Sequence, residues 1–339
     1  MKILVTGGCG FVGSHLSRAV MTGSRGELIV VDNLSREGSR TNLEALRAVG
    51  SFAFFPVDVR DADALDKVVA DIRPDVVFHL AGQVAMTASV RDPQSDFDIN
   101  AGGTLHLLEA MRRHRAEGMV LYASTNKVYG DLEGMRIEET PTRYAAPDHP
   151  DGFAEDLPLD FRTPYGCSKG SADQYVLDYH RVFGLRTVVF RHSSMYGPHQ
   201  NSTVDQGWVD WFCRMAAETK SGRLREPFTI SGSGKQVRDL LHADDVTALY
   251  FAAVGAMDAV SGQAFNIGGG MANSLSLLEL FTLLERELDV RLNYTRLPAR
   301  PSDQKVFVAD LEKARRMLAW APVVDMAAGL RRQLEWTRA

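Results

Sequence analysis

Tyr165 and Lys169 stand four residues apart in the run Tyr165-Gly-Cys-Ser-Lys169. On a helix that spacing puts a phenol and an ammonium on one face. A free phenol titrates near a pH of about 10, and a neighbouring cation favours the phenolate, which makes a base usable near neutrality. A second set lies at the N-terminus, in Leu4-Val-Thr-Gly-Gly-Cys-Gly-Phe-Val-Gly-Ser-His-Leu16. Gly7, Gly10 and Gly13 form a G-x-x-G-x-x-G turn between an apolar run and an amphipathic stretch. Glycine permits positive φ and close approach of the backbone to a pyrophosphate. The helix that follows offers unpaired N–H groups and a positive dipole end to that anion.

Tight strand-to-helix turns also need glycine, so the context matters. The triplet follows a strand candidate, and Asp32 falls 19 residues after Gly13 at the end of the next one. An acid there accepts hydrogen bonds from adenosine ribose hydroxyls and repels a 2′-phosphate, which favours NAD over NADP. Arg36, close by, is the residue that would cushion a phosphate instead. Asp58 has two readings: it reaches the adenine edge, or it caps a helix beginning near Ala62. A third chemical group is expected at the end of the strand Met119-Val-Leu-Tyr-Ala-Ser-Thr125, where Ser124 or Thr125 offers a hydroxyl to a reacting oxygen. Together these residues imply a bound dinucleotide and a tyrosine that moves a proton beside it.

The elements needed to position them are legible. Strand candidates are Lys2–Val5, Leu28–Asp32, Phe52–Pro56, Val76–Leu80, Met119–Ser124 and Arg186–Phe190. Helical stretches alternate with them over Phe11–Met21, Ala62–Ile72, Ala101–Arg113 and Tyr165–Phe183, with Gly23 and Gly184 as helix stops. This alternation predicts an α/β fold with a doubly wound parallel sheet of Rossmann type. Between Asp131 and Pro164 five prolines and many acids interrupt the pattern, which reads as an excursion over the active site. The expected organisation is a dinucleotide-binding domain over 1–190, including the excursion at 131–164. A smaller, mainly helical substrate lobe follows over 191–339, with short segments returning to the sheet.

The chain has 339 residues, 45% hydrophobic and 24% charged, with a net charge of −5. That is ample for a buried core and lacks the basic footprint of a nucleic-acid binder. Three unpaired cysteines make neither a disulfide framework nor a zinc site, and no metal is expected. The opening apolar run is too short for a signal-peptide core, and no window approaches a membrane span of about 20 apolar residues. A cytoplasmic protein without a membrane partner is the expectation.

With the glycine loop, Asp32, the Ser124-Thr125 strand end and Tyr165/Lys169 in view, the chain resembles the extended short-chain dehydrogenase/reductase family of nucleotide-sugar enzymes. In that family the catalytic hydroxyl lies four residues before the tyrosine of a Val-Tyr-Gly segment. Counting back from Tyr129 assigns it to Thr125. The family's 4,6-dehydratases carry Asp-Glu after the threonine, since elimination needs an extra acid and base, and its glucuronate decarboxylases carry Ser-Glu. Here Asn126-Lys127 follows, and an epimerase needs no carboxylate. Ser124-Thr-Asn-Lys-Val-Tyr-Gly130, Thr163-Pro-Tyr-Gly-Cys-Ser-Lys-Gly170 and Arg191-His-Ser-Ser-Met-Tyr-Gly197 resemble the family's CDP-hexose 2-epimerases. So do Gln83-Val-Ala-Met-Thr87, Asp205-Gln-Gly-Trp208, Gly234-Lys-Gln-Val-Arg-Asp239 and Ser302-Asp-Gln-Lys-Val-Phe-Val-Ala-Asp310. The 40 residues separating Thr125 from Tyr165 exceed the spacing of typical 4-epimerases, and Ser194 replaces their substrate-binding asparagine.

The resemblance implies inversion at C2 of a CDP-linked hexose by oxidation to a 2-ketone and re-reduction on the other face, with tightly bound, recycled NAD. A UDP-hexose 4-epimerase using the same tyrosine, lysine and threonine is the alternative. The catalytic set it implies is Thr125, Tyr165 and Lys169. The cofactor set is Gly7, Gly10, Phe11, Val12, Gly13, Asp32, Asn33, Arg36, Asp58, Val59, Leu80, Ala81, Gln83, Asn100, Ser124, Tyr165, Lys169 and His192. The substrate set is Gln83, Thr125, Asn126, Ser194, Gln206, Trp208, Arg238, Arg300 and Asp303. Arg238 and Arg300 match phosphate-binding arginines, and Lys235 is a third cation candidate. Asn100 is expected to brace the active-site helix. His192 is equally readable as a satisfied core histidine, and Trp208 as core packing rather than a base-stacking platform. Family members are commonly dimers or tetramers, which implies a homo-oligomer.

Overall fold

The computed structural model describes residues 1–300 and 302–338. Apolar strands that alternate with amphipathic helices bury both of their faces, and the strands assemble into one parallel sheet of seven. Its spatial order is Gln263–Ile267, Arg186–His192, Met119–Thr125, Val76–His79, Lys2–Thr6, Glu27–Val31 and Ala53–Phe55. The order reverses direction between the first strand and its neighbour Val76–His79, the switch point where open α/β sheets bind ligands. Successive residues face opposite layers. Ile3, Val5, Phe78, Leu121 and Phe190 belong to one core, under helices Phe11–Thr22 and Ala243–Gly255. Leu4, Val77, Val120, Tyr122 and Val189 belong to the other, under Ala62–Ile72, Gly103–His114 and Thr163–Phe183.

The helix Thr163–Phe183 ends where Gly184 adopts φ 70°, a left-handed conformation that glycine takes without a Cβ penalty. The N–H groups of Gly184 and Leu185 then close on the carbonyls of His180 and Tyr179. At the other end of the chain, Gln263–Ile267 returns to the main sheet as an edge strand, parallel to Arg186–His192. The remainder of the C-terminal part packs its own core around Phe212, Phe228, Leu280 and Phe281. It is rich in helix, with two small sheets. In one, Val237–His242 pairs with Ser194–Tyr196, Ser274–Ser276 and Val306–Phe307. In the other, Phe228–Ser231 pairs with Tyr294–Leu297.

The excursion is ordered around a short hairpin, Glu138–Glu139 with Tyr144–Ala145. Its anchors lie on the C-terminal part. The Tyr144 N–H donates to the Lys235 carbonyl at 2.9 Å, and the Arg143 guanidinium grips Glu279 at 2.6 Å. Phe153 forms a bridge with Ala309. The Lys235 ammonium is held by Glu139 at 2.7 Å, so it serves the hairpin rather than standing open for a diphosphate.

Helix Thr163–Phe183 is pinned to the sheet by a buried ion pair. Both Asp173 carboxylate oxygens accept from Arg191, at 2.9 Å each, and the two side chains are 0% and 5% exposed. Removing one partner of such a pair strands the other charge, which costs about 3–5 kcal/mol. Asp173→Asn is therefore expected to lower unfolding free energy by roughly 3 kcal/mol in urea titration.

Burial also dictates a pH response. His79 is fully buried, its Nδ1 2.7 Å from the Thr6 hydroxyl and its Nε2 3.0 Å from that of Thr104. Thr104 donates to the Asn100 carbonyl, so Nε2 carries the proton and Nδ1 accepts from Thr6. Desolvation, with the Lys169 charge second, pushes this imidazole down to about 3 from 6.5. The unfolded chain thus binds the extra proton between these values, and stability falls as pH drops below 6.5. A loss of about 2 kcal/mol from this residue by pH 5 is expected, and His79→Gln should flatten that slope in urea midpoints compared at pH 7.5 and 5.

Candidate active site

The glycine turn is closed by its own backbone. Gly7 has φ 67°, and a Cβ there would sit 2.7 Å from the Ala81 N. A Cβ on Gly13 would meet the Gly7 carbonyl oxygen at 2.1 Å. Gly10 caps the helix Phe11–Thr22 without a side chain, and no acid occupies the first turn. The first N–H groups of that helix therefore have no intrahelical acceptor. Asp32 ends the neighbouring strand, 8% exposed. Its carboxylate accepts from the Cys9 N–H at 2.9 Å and the Leu34 N–H at 2.8 Å, and burial raises its pKa against those bonds. Asp58 is not the cap of the next helix: Asp61 is, accepting from the Ala64 N–H at 3.0 Å. Asp58 instead pairs with Arg60 at 2.8 Å and Asn33 at 2.7 Å, and the Arg60 bond holds it down at about 2. Val59 packs against Gly103.

Thr125, Tyr165 and Lys169 come together, 6%, 8% and 4% exposed. Burial pushes the Tyr165 phenol up to about 12, the Thr125 hydroxyl pulls it down, Asp96 pushes it up and Arg36 pulls it down. Arg36 lies on the exposed loop after Asp32, so this loop's charge is felt at the phenol. Lys169 does not act as the anticipated direct partner. Its ammonium donates to the Ala123 carbonyl at 2.5 Å and lies 4.4 Å from the Tyr122 ring centroid. Burial brings it down to about 7.

Other predicted residues take more specific places. The Ser124 hydroxyl donates to Asp173 at 2.7 Å, because strand alternation turns it away from the Thr125 side. Gln83 is committed through its amide, to Asp96 at 2.7 Å and Ala85 at 2.9 Å, rather than left open to a ligand. Asn100, in a π-turn over Asp98–Gly102, accepts from the Gln83 N–H and donates to Ser168 at 3.0 Å. It thereby ties the post-strand loop Leu80–Gln83 to the active-site helix. His192 is register-paired with Thr125. Its Nε2 lies 3.2 Å from the Tyr250 hydroxyl and its Nδ1 is buried without a partner. Burial pushes the ring down to about 3, so it is neutral.

On the C-terminal side the Ser194 hydroxyl accepts from the Trp208 indole at 3.1 Å. Arg238 pairs with Asp303 at 2.8 Å. Arg300 donates to the Val204 carbonyl at 3.2 Å and lies 3.7 Å from Asp205. Gln206 closes a turn with Thr203. Two residues of this neighbourhood, Asp96 and Gln304, escaped the sequence reading as site residues, and a third, Lys127, entered it only as the place of a missing carboxylate. Asp96, 1% exposed, collects Gln83, Asn100 and Ser168. Lys127 lies 3.7 Å from Asp303, brought down to about 8 by burial first and Arg238 second. Gln304, 0% exposed, accepts from the Asn126 side-chain amide at 2.9 Å. Apart from the Asp96–Asn100 bond, four residues apart, their partners are 13 to 178 residues away, which leaves little local signal. Among the described residues no group of three or more His, Cys, Asp or Glu is placed to hold a metal, and no helix is long and apolar enough to cross a membrane.

A parallel sheet with a glycine cradle at its switch point and a Thr-Tyr-Lys cluster beside it defines a dinucleotide-dependent α/β enzyme. Residues 3–268 match the NAD dependent epimerase/dehydratase family, and the chain belongs to that family. It is 54% identical over 338 residues to a CDP-paratose 2-epimerase of Salmonella typhi, covering 99% of each chain. Among solved structures it resembles a UDP-glucose 4-epimerase of Thermotoga maritima with UDP-glucose. The TM-score is 0.83 at 30% identity, covering 100% of this chain and 99% of that one. A UDP-glucuronic acid 4-epimerase of Bacillus cereus, in complex with UDP-glucuronic acid and NAD, gives a TM-score of 0.84 at 28% identity with the same coverage.

NAD fits the residues present. The Gly13 position leaves no room for a Cβ, the adjoining helix end is uncapped, and the His192 Nδ1 is a buried ring nitrogen without a partner at the same strand ends. Gly13→Ala should shift the turn and abolish NAD retention, read as the loss of bound NAD released on denaturing the purified protein, with the far-ultraviolet spectrum preserved.

Proposed function

We propose that the protein is an NAD-dependent epimerase that inverts C2 of a CDP-linked hexose, of the CDP-paratose to CDP-tyvelose type. The observation that carries this reading is the 54% identity, over 99% of the chain, to a CDP-paratose 2-epimerase, and the residue pair after Thr125 separates it from elimination. Asn126 and Lys127 stand where an elimination would need a carboxylic acid and a carboxylate. The loop Gly7–Gly13, with Phe11 and Val12, and the loop Leu80–Ala81 would flank the pyrophosphate. Asp32 and Asn33 would take the adenosine ribose. The division into a dinucleotide domain over 1–190 and a substrate lobe over 191–339 is part of this proposal.

Bound NAD supplies the acceptor, and afterwards the donor, of the C2 hydride. Tyr165 takes the proton of the sugar 2-hydroxyl and later returns it. Thr125 donates to the same oxygen and stabilises the charge that develops there. Lys169, fixed by the Ala123 carbonyl, would hold the nicotinamide ribose rather than the phenol. Arg238 and Arg300 hold the diphosphate as a pivot about which the sugar turns to offer its other face. Asp303 and Gln206 orient the nucleotide, and Ser194 and Trp208 border the sugar. We further propose a cytoplasmic homo-oligomer, a dimer or tetramer. The exposed Tyr175, Val182 and Phe183 of the active-site helix support assembly.

The test is product analysis by NMR in D₂O without added NAD, offering CDP-paratose and, separately, UDP-glucose. The expected result is inversion at C2 of the CDP-sugar with no deuterium at the inverted carbon. Deuterium at that carbon would replace hydride return with proton exchange, and inversion only at C4 of the UDP-sugar would reassign the substrate. Tyr165→Phe should lower turnover by at least about 10²–10³-fold, while binding of the CDP-sugar persists.

A further inference from the structure

Gln304 comes from the segment after Arg300, on the C-terminal part of the chain, yet it is fully buried against the strand end that carries Thr125. Its orientation is not free. The side-chain nitrogen donates to the Gly130 carbonyl at 2.7 Å and to the Asn126 backbone carbonyl at 3.3 Å. Carbonyl oxygens only accept, so the NH₂ must face them and the amide oxygen must face Asn126. That oxygen then requires a donor, which turns the NH₂ of Asn126 toward Gln304 at 2.9 Å. The Asn126 amide oxygen is left facing the Thr125 hydroxyl at 3.4 Å. Thr125 Oγ1 in turn accepts from the Lys127 N–H at 3.2 Å. One lone pair is thereby used, and the hydroxyl proton is left to swing between a long contact to Asn126 and the reacting oxygen beside Tyr165.

The chain of donors and acceptors runs from a backbone carbonyl, through two amides, to the catalytic hydroxyl. We propose that Gln304 is a positioning residue that sets the Asn126 amide and, through it, the donor direction of Thr125. The segment that carries Gln304 also carries Arg300 and Asp303, the residues proposed to meet the diphosphate and nucleotide. The inference rests on the proton-handling role of Thr125 and Tyr165 proposed above, and not on which nucleotide sugar is bound.

The experiment compares NAD-loaded wild type, Gln304→Met, Asn126→Ala and the double variant. Methionine keeps the length of Gln304 and removes its polar ends. Gln304→Glu, which keeps the shape and removes the NH₂, replaces it should the methionine variant not fold by far-ultraviolet dichroism. The sugar is whichever nucleotide sugar the wild type inverts. Each single variant should lose about tenfold in kcat while KM stays within about twofold, and the double should lose no more than either single. The pKa governing kcat should fall by about half a unit or more, because without the Asn126 oxygen as acceptor the Thr125 proton stays on the phenolate, which becomes the weaker base. Multiplied losses in the double, or a loss confined to KM with an unchanged pH profile, would overturn the coupling. An ultraviolet difference titration of the phenol, wild type against Tyr165→Phe in each background, needs no turnover. If the wild type inverts neither sugar, the functional reading fails and this titration alone decides the inference: a fall in the phenol's pKa in Gln304→Met supports it, and a rise or no change overturns it.

Discussion

The ion pair of Asp173 and Arg191 holds the site in register. Asp173 lies two turns along the helix that carries Tyr165 and Lys169, and Arg191 lies one residue before His192 on the strand beside Thr125. Ser124 donates to the same carboxylate at 2.7 Å, and Arg191 donates to the Tyr129 hydroxyl at 2.8 Å. Tyr129 passes the connection to Asn266 at 2.7 Å, and Asn266 donates to the Phe153 carbonyl at 2.9 Å. One buried charge pair thus sets the helix, three sheet strands and the excursion relative to each other. A buried pair of this kind adds little net stability over an apolar substitute. Its contribution is directional, because a bidentate guanidinium accepts only one placement of the carboxylate.

Given that register, the electrostatics of the cleft follow from desolvation. The phenol goes up to about 12 and the Lys169 ammonium down to about 7. Both shifts oppose the charged forms that proton transfer uses. The phenol's shift is countered by Thr125 through contact and Arg36 through its field, and that of Lys169 by the charges of Asp96 and Asp173. His79 and His192 line the same sheet as neutral rings, so the site carries no stray imidazolium to compete for a sugar hydroxyl.

The two halves of the chain share an apolar core, with Tyr129 and Phe153 stacked on Phe307, and polar bonds join them at the site. Asp205 lies 3.7 Å from both Arg91 and Arg300. Asp303 joins Arg238 to Lys127, and Gln304 locks onto Asn126. The excursion adds Arg143–Glu279 and Lys235–Glu139 on the far side. These links couple whatever the C-terminal part binds to the strand end that carries Thr125.

The glycine turn, Asp32, the four-residue spacing of Tyr165 and Lys169, and the strand-helix alternation were all determined by sequence alone. Each is a local relation: a backbone conformation, a helix face or a period of burial. The helix Ala62–Ile72 begins and ends where its pattern said. Tertiary structure decided which way polar groups point once buried. Ser124 turned to Asp173, Gln83 closed on Asp96, Lys169 took a backbone carbonyl instead of the phenol, and Gln304 met Asn126 across 178 residues. A buried donor or acceptor must find a partner wherever the fold supplies one, and no window of sequence contains that information.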